Sequence, residues 1–259
     1  MGFLDLTSIK VNKSISSTQK LSMFLELFNK LSKIVEKKYP DSSDGFKKFC
    51  GAIQNKIQLL ELIKNRYGDS ASFINECFEE AEKNIRLYAT SADPEILKKS
   101  HEFSERFHFA RKSVILDIES FLVFSRVLLD YIPWMMRPFL KGYVTKEDPA
   151  TVDFRKFCEW FKKNPNKVID TTFSKFILEF YEWFMEKLRN PRNELVIHLN
   201  RKYTLDKFSS NGSVIRFKHS PTIDGEPSVY ELTSPILLFE TIHTFLKDFE
   251  AHFLRILAN

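Results

Sequence analysis

Glycine is scarce: the chain has 7 in 259 residues. Few positions therefore favour positive φ, and long helices joined by few tight turns are expected. Cysteine is scarce and odd in number, with Cys50, Cys77 and Cys158 far apart and no C-x-x-C pair. That excludes a disulfide framework and a zinc knuckle, and leaves buried thiols in a reducing compartment. Long apolar runs are lacking too, because Lys or Glu interrupts every candidate before about 18 residues, so no membrane span is expected. The start, Met1-Gly-Phe-Leu-Asp-Leu, has no charged segment leading into an apolar one and no Ser or Thr at position 6. Neither a secretory signal nor a myristoylation pattern is read there, and a cytoplasmic protein without a membrane partner is expected. P-loop, G-x-G-x-x-G and G-x-S-x-G signatures are missing, which removes support for P-loop nucleotide hydrolysis, dinucleotide binding and an α/β-hydrolase site.

Aromatic residues are abundant, including 26 phenylalanines, enough to pack a thick helical core without metal or disulfide. Net charge is +5, a mild basic bias compatible with a polyanionic partner.

Apolar residues recur at helical spacing over most of the chain. Leu21, Phe24, Phe28, Leu31, Ile34 and Val35 form one stripe over residues 18–38. A second helix follows Pro40, and a third begins after a break expected at Gly68-Asp69-Ser70. Asp93-Pro94 reads as an N-cap with proline at the first helical position. It opens a long helix to Tyr131, ended by Pro133 and Pro138. The tract Val114–Leu129 is apolar on most sides and should be central. A loop over 139–152, a short helix near Phe154–Phe161 and an aromatic helix over Thr171–Leu188 come next. Asn190-Pro191 repeats the cap-plus-proline signal and predicts a new helix through Lys202. Between 203 and 233 the texture changes to short alternating runs, Val214–Phe217 and Val229–Leu232, flanked by turn residues. Two strands in a hairpin are expected there, before a last amphipathic helix from Ser234-Pro235 to Leu257. The fold class is therefore all-α, a helical bundle with a small β-hairpin insertion. A seam near residues 89–94 would divide an N-terminal helical region, 1–94, from a bundle, 95–259.

Arg192-Asn-Glu-Leu-Val-Ile-His198 is the segment richest in chemistry. A guanidinium holds a phosphate through two parallel donors, and an imidazole gives or takes a proton near neutrality. Together they suit RNA cleavage by the 2′-hydroxyl, which needs no metal if protons are moved and the phosphorane charge is stabilised. In a chain with 12 Arg and 6 His, an Arg followed four to six residues later by His arises about 0.8 times by chance, and about 0.1 times if a polar residue must follow the Arg. Six positions rotate by about 240° beyond one full helical turn, so the Arg must wrap toward the His or meet one from a second subunit. Arg189, Arg201 and Lys202 stand near enough to grip a phosphate backbone.

These residues resemble the HEPN superfamily, whose hallmark is Arg, a polar residue, then His after a gap of four to six. The resemblance covers roughly residues 95–258. It implies a metal-independent endoribonuclease of a toxin–antitoxin or antiviral defence system, acting on RNA without a cofactor. It further implies a homodimer whose two motifs line one cleft, and an antitoxin or regulatory protein as a further partner. Arg192 would stabilise phosphate charge, Asn193 would orient or bind the phosphate, and His198 would be the general acid/base. The alternative within the family is a non-catalytic module binding a nucleotide, RNA or a protein.

Two other constellations compete. Glu105-x-x-His108 and Glu240-x-x-His243, with Glu76 or Glu79 and Glu179 or Glu182, follow the chain order of a di-iron bundle and would make a metal-dependent helical enzyme. His101, Glu105 and His108 could present three ligands to one zinc. A plain helical adaptor, with Arg192 paired to Glu186, Asn193 capping a helix and His198 in the core, is the last alternative.

Overall fold

The computed structural model describes residues 28–91, 93–142, 153–193, 203–208, 214–219 and 229–258. The start of the first expected helix, with Leu21 and Phe24, and most of the loop expected over 139–152 lie outside them. The fold is predominantly helical: α1 (Asn29–Lys38), α2 (Pro40–Ser91), α3 (Pro94–Met136), α4 (Phe154–Lys163), α5 (Thr171–Phe184) and α6 (Pro235–Ala258). Among the described residues, no helix is long and apolar enough to cross a membrane.

α2 and α3 form an antiparallel pair that carries the rest. α2 runs 52 residues without interruption, about 78 Å at 1.5 Å per residue. The break expected at Gly68-Asp69-Ser70 is absent. Glycine costs about 1 kcal/mol against alanine inside a helix. Here the flanking residues Tyr67, Ala71 and Ile74 are all buried, and this continuous stripe outweighs the local penalty. Asp93 does cap α3, its side chain accepting from the Glu95 N–H at 3.0 Å. Pro133 does not end that helix: α3 passes through it to Met136, and a 3-10 turn, Arg137–Gly142, follows. Proline at 133 removes the hydrogen bond to the Leu129 carbonyl, and the burial of Ile132, Met135 and Met136 offsets that loss.

Asp117, Arg126 and Asp130, inside or beside the apolar stretch of α3, are paired. Fully buried Asp117 receives the Arg66 guanidinium from α2, with Nε at 2.6 Å. Arg126 donates from Nε to Asp130 at 3.0 Å and reaches Asp153 at 3.4 Å. Asp130 also accepts the Phe154 N–H at 2.9 Å, which ties the start of α4 to α3. Asp153 and Asp170 cap α4 and α5 through the Lys156 and Phe173 N–H groups, at 2.7 and 2.8 Å.

Phe154 then gathers the C-terminal helices. Its ring lies 5.3 Å from Phe184, 6.0 Å from Phe180 and 6.0 Å from Phe245 of α6, all edge-on. Phe180 and Phe245 stack at 3.7 Å. At the other end α6 holds α1: buried Phe28 lies 6.3 Å from Phe249, and its N–H donates to Glu250 Oε1 at 2.9 Å. Phe28 adopts φ 67°, a left-handed conformation costly for a bulky residue, stabilised here by that burial and hydrogen bond. Buried residues on both sides of the Asp93 turn belong to one continuous core.

The β region holds three strands where two were expected: β1 (Tyr203–Phe208), β2 (Val214–His219) and β3 (Val229–Thr233), antiparallel in the order β1-β2-β3. β1 eludes a period-2 reading because its register with β2 shifts between Leu205 and Lys207, a bulge that breaks the alternation. Ile215 and Leu232, cross-strand partners, are buried.

Gly68 supplies the test of the uninterrupted helix. A Cβ there meets nothing within 4 Å. Gly68→Ala should raise unfolding stability by about 0.5–1 kcal/mol in urea titration, whereas a true helix break would make it destabilising.

Candidate functional site

Arg192 and Asn193 are the described part of the segment singled out by sequence, and its position depends on a change of helical pitch. α5 does not stop at a cap before Asn190-Pro191. It passes into a π-helical turn, Met185–Arg189, and one further α-turn, Asn190–Arg192. Asn190 has helical φ −63° and ψ −49°, and its N–H reaches back five residues to the Met185 carbonyl. The expected N-cap at Asn190 is thus corrected. Proline at 191 lacks an N–H, and in an ideal α-helix its ring collides with the carbonyl four residues back, at Lys187. A wider π turn relieves that collision without breaking the helix. Leu188 and Pro191 are buried, so the bulged turn is held by packing.

Arg192 and Asn193 are both half-buried, with Arg192 Nη1 donating to Asn193 Oδ1 at 3.4 Å. Arg192 Nε is fully shielded and has no hydrogen-bond partner among the described residues. A shielded donor left unmade costs about 1–3 kcal/mol. The pairing with Glu186 weighed from sequence does not form: Glu186 binds Lys187 Nζ at 2.6 Å. Asn193 does take a cap position, at the C-terminal end of the last α-turn, with φ −63° and ψ −41° and its N–H donating to the Asn190 carbonyl. Arg189 is half-buried on the π turn. His198, Arg201 and Lys202, with the helix expected through residue 202, lie outside the described residues. What the geometry offers is a half-buried cation with an amide beside it and, among the described residues, no carboxylate paired with it, an arrangement suited to an anionic oxygen.

The metal constellations do not assemble. Among the described residues, no three His, Cys, Asp or Glu side chains converge as metal ligands. Helix position explains this. The Glu105–His108 stretch lies toward the outer end of the α2–α3 pair, where Arg106 covers Phe73. Beside the second pair, Phe239 is covered by Lys64, two residues from the Arg66 that binds Asp117. Nine residues of α3, about 13 Å, separate His108 from Asp117. His101, Glu105 and His108 are each exposed on one helix.

Sequence reading missed the Arg66–Asp117 and Arg126–Asp130–Asp153 ties. Their signal was present: Asp117, Arg126 and Asp130 interrupt or border an apolar helix, and charges so placed need partners. All three cysteines are free and buried.

No family model, curated protein or solved structure matches this chain.

His243 gives the pH dependence of this scaffold. Burial, then the positive charges of Lys247 and Lys64, push its imidazole down from 6.5 to about 4. Between those values the unfolded chain binds the proton and the folded chain does not, so stability falls as pH drops through that window. Urea midpoints should therefore decline from about pH 7 to about pH 5, and His243→Gln should flatten the decline. An unchanged slope in the variant would place the titration elsewhere.

Proposed function

We propose that this chain is a metal-independent endoribonuclease of the HEPN type, its HEPN-like part spanning residues 95–259 and residues 1–94 adding a helical region. The observation that carries the reading is Arg192: a half-buried guanidinium, shielded at Nε and paired with no carboxylate among the described residues, beside Asn193 at the end of an aromatic helix. The packing of α5 against the last helix through Phe180 and Phe245 suits a HEPN-like bundle. Three buried free thiols fit a reducing, cytoplasmic setting.

In the reaction, the 2′-hydroxyl oxygen of a nucleotide attacks the adjacent phosphorus. His198 assists the proton transfers, the P–O5′ bond breaks, and the departing oxygen leaves as a 5′-hydroxyl. Arg192 neutralises the charge gathering on the non-bridging oxygens, and Asn193 orients the phosphate. Arg189, Arg201 and Lys202 hold flanking phosphates. The substrate is RNA, the active form is a homodimer, and an antitoxin or regulatory protein restrains it.

Purified protein should cut total RNA in EDTA. Arg192→Ala and His198→Ala should each lower the rate by at least about a hundredfold, with circular dichroism unchanged. Cleavage that is abolished by EDTA, or that proceeds at the wild-type rate in either variant, contradicts the reading. RNA binding without cleavage by the wild type would point instead to the non-catalytic module.

A further inference from the structure

One face of the α2–α3 pair carries apolar side chains turned to solvent. Leu62 is 67%, Leu116 55% and Phe109 74% exposed. Phe109 lines an open groove of about 550 Å³ between the two helices, with Asp69, Phe73, Glu105 and Arg106. At about 100° per residue, Leu62, Asp69, Phe73 and Glu80 fall within about 40° of one another around α2. Glu102, Glu105, Phe109 and Leu116 fall within about 60° around α3. Arg66 meets Asp117 and Phe78 meets Phe107 across the pair, so the antiparallel register sets Leu116 between Leu62 and the groove. The apolar positions thus form one row, about 16 Å from Leu62 to Phe73. Phe78 and Ile85 lie about 120–140° away around α2 and do not belong to it. An apolar row with a charged border marks an interaction surface.

Charge selects the occupant. Four carboxylates flank the row, Asp69 and Glu80 on α2 and Glu102 and Glu105 on α3, and none is paired with a cation among the described residues. The two guanidiniums on the same face are engaged within the chain: Arg66 is held by Asp117, and Arg106 lies over the rings of Phe73 and Phe103. The face is therefore apolar along its centre and anionic at its flanks, which repels nucleic-acid phosphates and complements a cationic partner. Its length is that of a helix laid in a groove. About 16 Å is three helical turns, and the row suits anchors at i, i+4, i+7 and i+11 of an incoming helix. We infer that this face docks a basic amphipathic helix of a partner polypeptide. Its apolar anchors rest on Leu62, Leu116 and the Phe73–Phe109 groove, and its Lys or Arg side chains meet the four carboxylates. The inference does not rest on the nuclease reading.

The probe is a labelled synthetic helix of about 18 residues, with leucine at i, i+4, i+7 and i+11 and lysine flanking them, titrated with the full-length chain by fluorescence anisotropy. The wild type should bind it with a Kd of about 10 μM or tighter. A scrambled peptide of the same composition, and an acidic one with glutamate for lysine, should each bind at least about tenfold more weakly. Phe109→Ser with Leu116→Ser, both at exposed positions, should weaken binding at least about tenfold with helicity retained. Replacing all four carboxylates, by Asp69→Lys, Glu80→Lys, Glu102→Lys and Glu105→Lys, should reverse the preference, so that the acidic peptide binds better than the basic one. No binding at about 100 μM chain, equal affinity for the scrambled or acidic peptide, or indifference to the Ser substitutions overturns the inference. So does a helical four-lysine variant that shows no reversal. A wild-type dimer in sedimentation that the Ser substitutions dissociate overturns it as well, since a second copy would then cover the face.

Discussion

The Asp130 carboxylate is the point on which the C-terminal half of the molecule turns. It accepts the backbone N–H of Phe154 and the Nε of Arg126, and Arg126 reaches on to Asp153, the cap of the same helix. Burial raises the pKa of Asp130, while the Phe154 N–H and the Arg126 charge oppose that rise. A half-buried ion pair of this kind adds little net stability, and removing one partner is what costs more. Its value is positional. It fixes where Phe154 enters the core, and Phe154 in turn sets the places of α5 and α6 through its contacts with Phe180, Phe184 and Phe245. Arg192 stands two helical turns beyond Phe184, so its direction is inherited from this junction.

The π turn completes that inheritance. Pro191 cannot follow Lys187 in an ideal α-helix, yet Leu188 and Pro191 must stay buried. The chain resolves the conflict by widening one turn, and the widening shifts every later residue around the helix. Arg192 is thereby placed with its Nε inside the protein. The functional proposal rests on that placement and on the chemistry of the residues that follow it in sequence.

Much of this was legible in the sequence, because amphipathic periodicity and capping are local properties. The helical class, the start of α3 at Asp93-Pro94, the short helix beginning at Phe154 and the aromatic α5 all follow from patterns within one or two turns. Three features were not legible, each for a non-local reason. Gly68 looks like a break until the buried stripe of Tyr67, Ala71 and Ile74 is laid against α3. Pro133 looks like a stop until its place in a final, buried turn is known. Asn190-Pro191 carries the letters of a helix start, and the burial of Leu188 and Pro191 makes the helix continue instead. At the site, the sequence named Arg192 and Asn193 but could not tell that Glu186 would be engaged by Lys187 instead of by Arg192.

The most direct test of the account is the chemistry of the ends left on a defined RNA oligonucleotide, read by mass spectrometry after incubation with the protein in EDTA. Attack by the neighbouring 2′-hydroxyl leaves a 2′,3′-cyclic phosphate on one product and a 5′-hydroxyl on the other, and a 2′-deoxy substitution at the cut position blocks the reaction. Products ending in a 3′-hydroxyl and a 5′-phosphate, or cleavage indifferent to the 2′-deoxy substitution, would contradict it.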